Sequence, residues 1–165
     1  MVKHLAVADG LPVSPLPDWA PNVHPLIVHF PIGLLLAATA LDTAAWVFRC
    51  NQSLRLVATV LYVVGTITLF AAYFTGRNAA DTVWLAGMTH AAIKAHWDMA
   101  FLAVWFFTAM TVVRVALLWW LRPDPRPAAI GALALAGFLG VVLIVETGDR
   151  GGRLVYEHAV GVARQ

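Results

Sequence analysis

The sequence predicts an all-α integral membrane protein folded as an up-down bundle of four transmembrane helices. Three observations carry that prediction. The 165 residues are 61% hydrophobic and only 12% charged, far more apolar and about half as charged as a soluble domain. Four long apolar runs fall near residues 26–48, 54–75, 97–121 and 128–147, each close to the ~20 residues that cross a hydrocarbon core of roughly 30 Å. The connections at 49–53 and 122–127 are short, which makes consecutive helices antiparallel neighbours. The length suits one domain, divided into a proline-rich arm at 1–21 and a helical membrane domain at 22–165.

Composition also excludes several function classes. The net charge of +2 comes with no basic stripe, so nucleic acid is not an expected partner. Cys50 is alone, which leaves no disulfide framework, no thiolate zinc site and no Cys-x-x-Cys-His for covalent haem. The sequence contains no nucleophile–base arrangement, phosphate loop or paired-carboxylate site, so no independent catalysis is expected.

The arm carries Lys3, but Asp9, Pro12, Pro15, Pro17 and Asp18 interrupt any apolar core, unlike a secretory signal. Asn22 is a fair N-cap and Pro25 falls in the first turn, where a missing N–H costs little. Pro31 lies deeper in the first run; within a helix it frees a carbonyl and bends the chain, so the entrance should be bent around His29. The second and third runs have no such interruption. Arg49, Arg55, Arg114, Arg122 and Arg126 cluster on the two tight loops and their flanks, against Asp42 and Asp124. Basic short loops favour the cytoplasm. The short loops are therefore expected in the cytoplasm, with both termini outside.

An internal echo joins the halves. The second run ends in Thr75-Gly76 and the fourth in Thr147-Gly148, and each glycine is placed to close a helix. His29 opens the first helix and His96 the third; His90 and His158 follow the two Thr-Gly pairs. The pattern predicts two helix-pair repeats related by an axis along the membrane normal.

The drawn topology gathers His24, His29, His90, His96 and His158 at the extracytoplasmic side. His24 and His29 are five apart, so at ~3.6 residues per turn they diverge by about 140° on one helix. His90 and His96, six apart, diverge as well. Each imidazole therefore looks to a partner on another helix. That is the geometry of a b-type haem, whose iron takes one imidazole on either side of the porphyrin; copper or zinc would want three or four converging ligands. His29, His96 and His158 are the expected axial ligands, with His90 or His24 completing a second pair, for one haem b or two side by side. Arg77, Arg150 and Arg153 lie where propionates would emerge, and Glu146, Asp149 and Glu157 could accept from imidazole N–H groups. Ala132, Ala136 and Gly140 form a smooth stripe suited to a macrocycle or to close helix packing. Asp42 and Arg114, each about two turns from the short-loop end, are expected to form a structural ion pair within the bundle.

The run His24-Pro25-Leu26-Ile27-Val28-His29-Phe30-Pro31-Ile32-Gly33, the Thr75-Gly76 pair, His96, and the closing Gly151-Gly152-Arg153-Leu154-Val155-Tyr156-Glu157-His158 resemble an uncharacterised bacterial family of four-span predicted membrane proteins. The resemblance spans about Asn22 to Val162 and implies the same fold and the same marked histidines. It departs from the family pattern at Ala159, where glycine is usual, and implies no chemistry. The functional expectation is a b-type cytochrome-like electron-transfer protein, exchanging electrons with quinol, a periplasmic carrier or other subunits of a membrane redox complex. The alternative is a non-redox anchor or assembly subunit, or a copper- or zinc-handling membrane protein.

Overall fold

The computed structural model describes residues 22–48, 52–82, 88–120 and 127–160. The proline-rich arm, His4, Cys50 and the turn bearing Arg122 and Arg126 lie outside them. The described chain forms α1 (His24–Ile27), α2 (His29–Val47), α3 (Gln52–Thr82), α4 (Met88–Trp120) and α5 (Pro127–Tyr156). Four spans are long and apolar enough to cross a membrane: His24–Val47, Gln52–Asp81, His90–Trp119 and Ala128–Tyr156. No more than a third of any span is buried in the bundle. The rest presents large apolar side chains outward, including Ile67, Val112, Leu135 and Val145, as lipid requires.

The helices form a ring in which α2 and α4 each contact both α3 and α5, while α2 and α4 stand diagonally. The expected break falls between α1 and α2, at Val28. Pro31 has no N–H to donate to the preceding turn, and the Ile32 N–H reaches the Val28 carbonyl only at 3.4 Å, so the helix restarts at His29. The N-cap position falls on Val23 rather than Asn22, one residue later than expected, though the Asn22 Oδ1 still accepts from the His24 N–H at 3.1 Å.

The core is small: Leu35, Ala38, Tyr62, Phe107, Met110 and Ile144. Glycine lets these large side chains meet backbone. A Cβ on Gly65 would stand 2.7 Å from Leu35, and one on Gly140 would stand 2.5 Å from Phe107. Of the small-residue stripe, Ala132 is exposed and Gly140 is occupied by Phe107 and Phe106, so its buried end serves helix packing.

The matched positions of the internal echo follow a different register from the Thr-Gly reading. Asp42 and Arg114 are 72 residues apart, and the same offset relates His24 to His96, Thr39 to Thr111, Gly65 to Gly137, and Thr75-Gly76 to Thr147-Gly148. His24, not His29, is thus the counterpart of His96. The Thr-Gly pairs do not end helices either: α3 runs on to Thr82 and α5 to Tyr156. Neither glycine has the positive φ of a helix-closing residue. At 31, 33 and 30 residues, α3, α4 and α5 are about 45–50 Å long at 1.5 Å per residue, longer than a bilayer core is thick. Their polar extensions project at the end that holds His24.

The left-handed residue that does close a helix is Ala159, with φ 53°. The Val160 N–H bonds back to the Leu154 carbonyl at 2.9 Å and the Ala159 N–H to Val155 at 3.1 Å, a closure that normally selects glycine.

Candidate functional site

Two of the marked histidines are held against neighbouring helices at the same end of the bundle. His24 on α1 is half-buried against α3; its Nδ1 lies 3.3 Å from the Thr75 hydroxyl, with the Ala72 carbonyl also in reach. His96 on α4 is half-buried against α5, its Nδ1 3.0 Å from the Thr147 carbonyl. The two contacts span the same 51 residues in their respective repeats. The two imidazoles lie at the same end of the bundle. They form a layer across the mouth of the bundle, one from each half.

The partner of His96 fixes which of its nitrogens carries the proton. A carbonyl can only accept, so His96 Nδ1 donates to Thr147. The Thr75 hydroxyl also reaches the Ala71 and Ala72 carbonyls at 2.9 and 3.0 Å; if its hydrogen goes to them, its oxygen accepts from His24 Nδ1. The neutral His96 ring then carries its remaining lone pair on Nε2, and His24 does the same in the matching tautomer. This is how metal-ligating histidines are held, with one nitrogen bonded to an oxygen acceptor and the other left to coordinate.

Glycine makes room for each ring. A Cβ on Gly76 would lie 2.8 Å from His24 Cε1, and one on Gly151 would lie 3.2 Å from His96 Cε1. Gly148, the repeat counterpart of Gly76, has nothing within 4 Å. The second half therefore uses a glycine one turn further on.

The other expected residues are distributed around this layer. His29 and His90 are exposed, and His158 is half-buried just beyond α5. Among the described residues no three His, Cys, Asp or Glu side chains converge as a metal cluster. Arg150 donates to the Ala95 carbonyl at 3.4 Å, beside His96, and pairs with Glu146 at 3.7 Å. Arg153 pairs with Asp149 at 2.8 Å and is exposed. Arg77 is exposed and stacks over Trp97, 5.9 Å from the ring centroid. Glu146 and Asp149 are thus engaged by arginines a turn away, while the imidazole N–H groups go to Thr75 and Thr147. The signal that marks the two threonines is their equal spacing from His24 and His96.

A second polar group fills the opposite half of the bundle. Arg114 grips both carboxylate oxygens of Asp42, donates through Nε to the Thr59 hydroxyl at 2.8 Å, and lies 4.9 Å from the Tyr62 ring centroid. Tyr62 in turn shares a 2.9 Å hydrogen bond with Thr39, and Thr66 shares one of 2.9 Å with Thr111. Both charges are 3% exposed, so the expected ion pair is present and fully enclosed.

The fold and these two layers define a four-span membrane protein with paired, acceptor-bonded histidines at one mouth and a buried ion pair toward the other. A family described as predicted membrane protein, DUF2231, matches residues 20–164, and the chain belongs to that family. Neither a curated protein nor a solved structure matches it.

Proposed function

We propose that this protein is a b-type cytochrome-like electron-transfer component of the bacterial inner membrane, with haem b held at the mouth of the bundle. The single observation that carries the reading is the His24–His96 pair. Two imidazoles at equivalent positions each engage Nδ1 with a threonine oxygen, which leaves Nε2 as the coordinating nitrogen. That donor set fits a ligand needing one imidazole from each side, which is what haem iron takes in a b-type cytochrome. It suits a structural zinc site less well, since zinc wants three or four ligands and the described residues offer no such cluster.

When bound, haem supplies one-electron oxidation and reduction. The chain's own residues orient and tune. Thr75 and Thr147 lock the rings in the coordinating tautomer; Gly76 and Gly151 let them approach α3 and α5. Arg150, anchored to the residue before His96, is the cation best placed for a propionate, with Arg77 and Arg153 further out. His29, His158 and His90 remain candidates for a second pair. With the tight basic loops in the cytoplasm and the termini outside, the histidine layer faces the periplasm. Quinol, a periplasmic carrier or neighbouring subunits are the proposed redox partners.

The test is haem content. Protein produced in haem-replete cells and purified in mild detergent is expected to carry haem b at about one per chain, with two as the upper case. A colourless chain whose His24→Ala and His96→Ala variants are merely less stable would assign the imidazoles to helix docking and leave an anchor or assembly subunit. Stoichiometric copper or zinc instead of haem would assign metal handling.

A further inference from the structure

The constant 72-residue offset relates positions in α1–α3 to positions in α4–α5, and at one matched pair two opposite charges meet. Asp42 and Arg114 touch across the diagonal of the ring. Matched helices run in the same direction, so the axis relating the halves lies along the bundle, and this pair sits on it. Residues on such an axis face their own counterparts. A first half paired with another first half would oppose Asp42 to Asp42; a second half paired with its like would oppose Arg114 to Arg114. Like charges sealed in a bundle core are far costlier than at a surface.

Other matched positions are unlike in the same complementary way. Tyr62 corresponds to Ala134, and its hydroxyl lies where a Cβ on Gly137 would be 2.7 Å away. Leu35 corresponds to Phe107, and both are fully buried in one core. The assignment of charge is also directional. The groups that complete the Arg114 shell, the Thr59 hydroxyl and Tyr62 ring, come from α3. Their counterparts on α5 are Gly131 and Ala134, which have nothing to offer a guanidinium.

We infer that the interface between the halves is a surface that a second copy of this chain can fill by exchanging halves, and that the opposite charges of Asp42 and Arg114 direct each first half to a second half. The inference stands apart from any cofactor. Its test is charge complementation between full-length chains carrying two different affinity tags. Asp42→Arg puts arginine at both axial positions, and Arg114→Asp puts aspartate at both. Expressed alone, each variant is expected in folded form at about a tenth of the wild-type yield or less, the scale set by a buried charge without its partner. Co-expressed in one membrane, the two variants are expected to recover folded yield and to co-purify as a mixed dimer, because exchange restores the native Asp42–Arg114 contact at one of the two axes. Two differently tagged copies of the same variant should not co-purify. Near-normal folding of either variant alone, or failure of co-expression to restore folded protein, would overturn the inference.

Discussion

The closeness of His24 to α3 gives a prediction with a worked magnitude. Gly76→Ala places a methyl 2.8 Å from His24 Cε1 and 3.2 Å from its Nδ1. Ordinary contact begins near 3.4 Å, so the ring must retreat by about 0.6 Å, and it is a rigid plane rather than a flexible tail. Overpacking of this kind costs about 1–3 kcal/mol, against about 1 kcal/mol recovered when alanine replaces glycine in a helix. The net expectation is a loss of roughly 1 kcal/mol, and a lengthened His24–Thr75 bond. Gly148→Ala is the internal control. It has the same neighbour in sequence and the counterpart position, but open space around it; it should gain the helix term, about 1 kcal/mol. At about 2–4 °C per kcal/mol for a chain of this size, the two variants should differ by several degrees. The assay is thermal unfolding followed by circular dichroism in detergent micelles. If Gly76→Ala is as stabilised as Gly148→Ala, His24 does not pack on α3 and the site described here is wrong.

Three further outcomes follow from other contacts. A double-mutant cycle of Thr66→Val and Thr111→Val should give a coupling of about 0.6 kcal/mol, the usual worth of an interhelical hydrogen bond in a membrane bundle; a coupling of zero would mean the 2.9 Å contact is incidental. Ala159→Gly should stabilise the end of α5 by about 1 kcal/mol, since an L-residue at φ 53° bears a left-handed penalty that glycine escapes; slower hydrogen exchange at the Val160 amide would register it. Arg114→Met alone should cost about 3–5 kcal/mol by leaving Asp42 buried and unpaired, whereas Asp42→Leu with Arg114→Met should cost far less; denaturant titration of both proteins in micelles separates these cases.

Much of this was legible in the sequence, and the reasons differ by residue. The four spans follow from apolar run length alone, because lipid leaves no other way to satisfy the backbone. The bend ahead of α2 follows from the missing Pro31 N–H, and the Asp42–Arg114 pair from the cost of either charge alone in a span. The repeat was visible too, in Thr75-Gly76 and Thr147-Gly148. Its meaning was not, since a glycine that closes a helix and a glycine that admits a ring look identical in sequence. Only packing shows that Gly76 faces His24 and that both helices run on. The same ambiguity matched His29 with His96. Chain direction puts both at a helix entrance, but His29 falls after the break at Val28 and turns outward, while His24 before it turns in.

The central claim is that His24 and His96, acting as a pair, hold a prosthetic group between the halves. The most direct measurement is the reduced-minus-oxidised absorption spectrum of the purified protein beside its His24→Ala, His96→Ala, His29→Ala and His158→Ala variants. The account predicts b-type bands that vanish in the first two and persist in His29→Ala and His158→Ala, apart from any second haem those residues hold. Bands that survive loss of His24 or His96, or no bands in the parent protein, would contradict it.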